Sequence, residues 1–213
     1  GSVSDVLRVA VPPRMAKVEK DLAPDGVMDP SRFADGGSDD GAGAAIPAGL
    51  EASRWSSYRN GAAFLQHLSA GESPRALLSA LQGYGPGGCP RMIAEAVAAV
   101  RLSGRGAIVV VPDHRDLDRV EAALLQLLPA GDVARLTADD GQTPRYRSFL
   151  RILSGAAGVA VGTRSAAYAP VHNPGLVVCW DDGDDLHIEQ RSPYAHTREV
   201  LLLRAEQEGT ACL

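Results

Sequence analysis

Four short runs of small and β-branched residues constrain this chain more than any other feature. They are Ala107-Ile108-Val109-Val110-Val111, Val133-Ala134-Arg135-Leu136, Gly158-Val159-Ala160-Val161 and Leu176-Val177-Val178-Cys179. A strand that is apolar on both faces must be covered on both, and stretches with helical spacing lie between the runs, at residues 117–128 and 145–153. Near-continuous apolar strands alternating with helices predict an α/β fold with a parallel sheet between helical layers. Residues 194–208 read as the last helix and Ala211 onward as the last strand. Upstream, residues 62–68 and 75–81 have helical spacing, the second behind a Ser73-Pro74 start signal. A glycine-rich turn then leads into an alanine-rich helix over residues 91–102.

The first 20 residues differ in character. They are apolar and basic, with Arg8, Arg14, Lys17 and Lys20 against Asp5 and Glu19, and Pro12-Pro13 stops any helix and predicts an extended exit. Residues 21–54 hold mainly Gly, Asp, Ala and Pro and read as a linker, since such a stretch buries too little apolar surface to offset its ordering entropy. Residues 55–213 form the main folded unit. The opening without methionine and the close at Ala211-Cys212-Leu213 predict a piece of a longer polypeptide. Three cysteines, Cys89, Cys179 and Cys212, are too far apart for a disulfide framework or a closed zinc site and read as reduced. No apolar run approaches the roughly 20 residues of a membrane span, and no signal peptide opens the chain, so the cytoplasm is the expected location. The formal net charge of −5 argues against a strongly basic nucleic-acid clamp without excluding DNA, because the charge is uneven along the chain.

Open parallel sheets bind ligands beyond the carboxyl ends of their strands, where glycine-rich turns enter helices. Gly83, Gly85, Gly87 and Gly88 make such a turn, with the spacing of the front half of a phosphate-binding loop. That loop ends in a lysine that pairs with the β- and γ-phosphates and a hydroxyl that holds Mg²⁺. Here Cys89 and Pro90 stand in those places, and Arg91 is the nearest cation. The plain alternative is a Gly-Pro turn before a helix; both readings predict feeble binding of ATP with magnesium. A motor also needs acids at the end of a strand. After residues 176–179 the next residue is Trp180, followed by Asp181 and Asp182, and a shift of one residue turns a strand side chain to the other face. Metal and water activation are therefore expected to be impaired.

Taken in order, these segments resemble the primosomal protein N′ family, PriA, of superfamily 2 DNA helicases. Asp5-Val6-Leu7-Arg8 through Pro12-Pro13 resembles the end of the family's N-terminal domain for a DNA 3′ end. Val109-Val110-Val111-Pro112-Asp113 is similar to its V-P-E segment. Gly162-Thr163-Arg164-Ser165-Ala166 is similar to its G-T-R-S-A motif. Trp180-Asp181-Asp182-Gly183 takes the place of its D-E-E-H box, and Tyr194 to Glu199 resembles the Y-H-A-R-D segment. The departures at the motor positions resemble the actinobacterial branch, with degenerate motifs. The resemblance implies a RecA-like P-loop lobe and a role at abandoned or stalled replication forks. It also implies branched DNA and primosome proteins as partners, and a motor without ATP-dependent helicase activity. A winged-helix domain, expected between residues 20 and 55, reads as reduced or missing, and the family's zinc cluster is expected beyond Leu213. The alternatives are a weakly active ATP-dependent 3′ to 5′ helicase and a metal-dependent hydrolase.

No residue is assigned a catalytic role and no metal ligand set is expected. Thr163 and Arg164 suit DNA phosphates, or else a helix cap and a surface arginine. Arg198 contacts DNA or braces the acidic loop, with bracing favoured. Asp181, Asp182, Asp184, Asp185, His187 and Glu189 form an acidic cluster that reads as a solvated loop ahead of a hard-metal site. Trp55 and Tyr58 read as core ahead of a base-stacking pair.

Overall fold

The computed structural model describes residues 3–22, 54–80 and 88–213. The linker residues 23–53, with the winged-helix expectation, and residues 81–87, with Gly83, Gly85 and Gly87, lie outside the described residues. Five parallel strands form one sheet: β1 (Gly106–Val110), β2 (Val133–Leu136), β3 (Val159–Gly162), β4 (Pro174–Cys179) and β5 (Ala211–Cys212), in the order β2-β3-β1-β4-β5. The helices are α1 (Val3–Ala10), α2 (Ala16–Leu22), α3 (Gly61–Ser69), α4 (Cys89–Leu102), α5 (His114–Leu124), α6 (Gln142–Leu153) and α7 (Thr197–Glu208).

Strand periodicity explains the two layers. Val109, Val111, Leu176 and Val178 point to one face, where they join Leu65, Leu68, Val97, Val100, Leu117 and Val120 of α3, α4 and α5. Ile108, Val110, Ala160 and Val177 point to the other, against Ile152 of α6 and Leu201 and Ala205 of α7. Burying each such aliphatic side chain stabilises the fold by about 1.5–3 kcal/mol before ordering entropy is counted. Helix α4 is buried nearly all round. Its alanines at 94, 96, 98 and 99 keep it thin enough to sit between the sheet, α3 and α5.

Two expectations change. Residues 75–80 are extended, not helical. Ala76 N–H donates to Cys212 O at 2.9 Å, and Cys212 N–H donates to Pro74 O at 3.1 Å, so the segment lies along the edge of β5. Ala76 and Leu78 pack on the core, while Leu77 between them is 93% exposed. The leucine spacing fits either period, and the open backbone groups of β5 decide it. The Ser73 hydroxyl, expected to cap a helix, donates to Gly209 O at 2.6 Å. Upstream, the prolines stop the helix as expected: Val3, Val6, Leu7 and Ala10 make the stripe of α1, which ends at Ala10, and residues 12–15 are non-helical. The last helix starts at Thr197, three residues later than expected, with the His196 ring accepting from Arg198 N–H at 3.1 Å as its cap. Trp55 is core, 2% exposed; its ring stacks on Phe64 at 5.3 Å and its Nε1–H donates to Met92 O at 3.0 Å, which removes it as a base-stacking platform. The three cysteines are free.

Candidate functional site

The carboxyl end of the sheet gathers the predicted residues into two groups, one on each face. On the α4 face, Gly88 precedes the helix in an extended conformation and Cys89 opens it, with Pro90 in the first turn. Proline removes one of the amide donors that a helix start offers to an anion. Cys89 and Trp180 both pack against the same core cluster. Burial pushes the Cys89 thiol up to about 11, and the carboxylates of Asp116 and Asp181 push the same way. Cys89 is therefore a neutral thiol in a negative field, a setting that opposes a bound polyanion. Arg91, the nearest cation, is committed elsewhere: its Nε donates to Glu95 Oε1 at 3.1 Å and its Nη1 to Gln126 Oε1 at 3.3 Å. Glu95 is only 4% exposed, so withdrawing Arg91 would leave a buried carboxylate without its ion pair.

Strand pairing continues one residue past β4, with Trp180 N–H donating to Val110 O at 3.0 Å. There the alternation of faces ends, because Asp181 adopts a left-handed backbone with φ of 52°. The expectation that a shifted acid must point to the wrong face therefore does not carry past Trp180. The Asp181 charge is felt by Cys89 on one face and by Cys179 on the other. Cys179 is pushed up to about 12, first by burial and then by Asp182. Asp182 faces α7, where Arg198 Nη1 donates to it at 3.0 Å while Arg198 Nε reaches Glu199 at 3.3 Å. These bonds, that to Asp182 foremost, raise the guanidinium pKa further. Arg198 braces the acidic loop.

Gly162 ends β3, and a Cβ there would lie 2.0 Å from Leu136 O, so only glycine lets β2 and β3 approach this closely. Thr163 follows in extended backbone, and its side chain makes no capping bond to the short 3-10 helix over Arg164–Tyr168. Arg164 Nη1 donates to Leu186 O at 2.8 Å, and its Nε lies 3.7 Å from a carboxylate oxygen of Glu189. The G-T-R-S-A segment and the acidic loop are thus tied together.

Two residues carry more than sequence reasoning gave them. His187, grouped there with the acids, is fully buried; its Nε2–H donates to Trp180 O at 2.9 Å, and its carbonyl accepts from the Thr197 hydroxyl at 3.1 Å. It staples residues 180–197 into a closed loop. Asp116, in the first turn of α5, reaches the surroundings of Cys89. Neither stands in a motif, and only the fold brings them in. Asp184 accepts from Leu186 N–H at 2.7 Å. Among the described residues, no three His, Cys, Asp or Glu side chains converge as a metal site would need. None of the described helices is long and apolar enough to cross a membrane.

No family model matches the chain. It is 39% identical over 213 residues to the probable replication restart protein PriA of Mycobacterium leprae and 38% identical over 215 residues to that of Mycobacterium tuberculosis, in each case across 100% of this chain. The replication restart protein PriA of Bacillus subtilis is 24% identical over 133 residues, which cover 61% of this chain. The chain spans about 30% of the length of the mycobacterial relatives. With full-length identity at this level, and with the G-T-R-S-A segment, the acidic loop and the helix behind it in one continuous site, the chain belongs to the PriA family of replication restart proteins.

Proposed function

We propose that the chain is a RecA-like P-loop lobe of a replication restart protein, one that engages stalled or abandoned forks and supports primosome assembly without hydrolysing ATP. The observation that carries this reading is that Cys89 and Trp180 pack against the same core cluster, on one face of the sheet. The order of an extended segment at 74–80, a glycine-rich stretch and a helix from Cys89 supports a P-loop ancestry. A half-buried neutral thiol, an imino acid and an indole stand where a motor needs ammonium, alcohol and carboxylate. Charge-assisted hydrogen bonds contribute about 1.5–3 kcal/mol each, so the loss of the lysine alone weakens a triphosphate by orders of magnitude. On the α7 face, Thr163, Arg164 and Arg198 supply a hydroxyl and two guanidiniums, groups that position a DNA backbone without reading its sequence.

Calorimetric titration of the chain with Mg-ATP should give no heat of binding in the micromolar range. The full-length protein should release no phosphate above background when DNA is added. Turnover that is clear in the intact protein and lost in Asp181→Asn or Asp182→Asn would establish a working motor instead.

A further inference from the structure

Of the opening helices, α2 folds onto α6 while α1 packs on the 3-10 helix over Arg164–Tyr168, and the opening segment and α6 carry a surplus of positive charge on an acidic chain. Residues 3–22 carry Arg8, Arg14, Lys17 and Lys20, while α6 carries Arg145, Arg147 and Arg151 with no acidic residue. Against these seven cations stand Asp5, Glu19 and Asp21, a surplus of four on a chain whose formal net charge is −5. The joint is built. Val18 and Leu22 of α2 bury against Tyr146 and Leu150 of α6. Arg14 Nε donates to Glu19 at 2.9 Å, and the Tyr146 hydroxyl donates to the same carboxylate. Arg145 Nη2 reaches Val9 O at 3.4 Å. Glu19, the acid at the centre, is thus occupied from within. Arg8, Lys17, Lys20 and Arg147 are exposed, and among the described residues none of these four forms an ion pair.

We infer that the α2–α6 face is a second nucleic-acid surface, one that takes the phosphate backbone of duplex DNA beside the fork. It differs from Arg164 and Arg198, whose charges are partly held by Glu189 and Asp182, in that Lys17, Lys20 and Arg147 form no ion pair among the described residues. The inference rests on the DNA reading above. A lipid surface is the other common polyanion, but an interfacial helix interleaves its cations with large apolar side chains. The exposed positions of α2 and of the first two turns of α6, which make up this face, hold none: they are Ala16, Lys17, Lys20 and Asp21, then Gln142, Thr143, Pro144 and Arg147. The exposed apolar residues Val3, Val6, Leu7 and Val11 belong to α1 and the residue after it.

The test is fluorescence anisotropy of the whole chain on a labelled duplex of about 25 base pairs, titrated between about 50 and 200 mM salt. Each cation that no longer neutralises a phosphate reduces the slope of log affinity against log salt by about 0.9. Lys17→Ala, Lys20→Ala and Arg147→Ala together should therefore reduce it by about 2–3, so that the advantage of the unsubstituted chain shrinks about 40-fold across this salt range. The charge-retaining set Lys17→Arg, Lys20→Arg and Arg147→Lys should keep the original slope. An unchanged slope in the triple alanine variant, with Arg164→Ala still weakening binding, overturns this surface and leaves the DNA reading standing. No binding at the lowest salt overturns both. Equal binding to phosphatidylserine vesicles, lost in the same triple variant, overturns it in favour of a membrane.

Discussion

The two ends of the sheet use arginine in opposite ways. At the amino end, Arg105 donates to Gly71 O, the Ser73 hydroxyl, Pro174 O and Gly209 O at 2.8–3.1 Å, which ties the extended 74–80 segment to the starts of β4 and β5. Arg101 grips Asp132 at 2.8 Å, and that carboxylate also accepts from Gly158 N–H at 2.9 Å. These partners are backbone carbonyls and a half-buried acid, fixed by the fold. At the carboxyl end, Arg164 is still held by Leu186 O and by the mostly buried Glu189, but both partners of the Arg198–Asp182 pair are about half exposed. An anion arriving there can compete for the guanidinium. One end holds the sheet together, and the other leaves Arg198 exchangeable.

Substitutions at the two ends test that contrast. The largest effect belongs to Arg105→Ala, which leaves four acceptors without their shared donor and should cost about 3 kcal/mol of stability in urea unfolding. A loss within the error of the measurement would erase the distinction. At the carboxyl end, the Cys89 thiol should resist alkylation at pH 8 and react only as the pH nears 11. The sign for stability follows from the same shift. Above about pH 9 the unfolded thiol loses its proton while the folded one keeps it. The folded state then binds more protons, and the melting temperature should fall as pH rises from about 9 to 11. Cys89→Ala should make that fall shallower, the remainder coming from Cys179, whose thiol is raised in the same way; full reactivity at pH 8 would show an open loop. The smallest effect is that of Arg198→Ala, an exposed brace whose loss should leave the thermal melt unchanged. A clear drop there would make it a structural cation like Arg105.

Much of the layout was legible in the residues. The strands at 106–110, 133–136, 159–162 and 174–179 fall on the apolar runs because burial on both faces leaves little room for another pattern. The 75–80 segment was not legible. Its leucines satisfy a helix as well as a strand, and the edge of β5, more than 130 residues away, supplies the deciding hydrogen bonds. In the site, the identities at 89, 90 and 180 were plain. The commitment of Arg91 to Glu95 was not, since an i to i+4 pair becomes binding only when its acid is buried. His187 escaped for the same reason: a histidine among aspartates looks solvated until the fold closes over it.

By itself, then, the sequence determined the alternation of strands and helices, the two-faced burial of the sheet, and the identities of the side chains at 89, 90 and 180. Those are properties of side-chain type and short-range period. Tertiary structure alone decided which face Trp180 takes, how far Asp181 departs from the strand, where each arginine places its charge, and that a basic opening rests on a basic α6. Such facts depend on contacts between residues distant in the chain, and no local pattern encodes the partner at the far end.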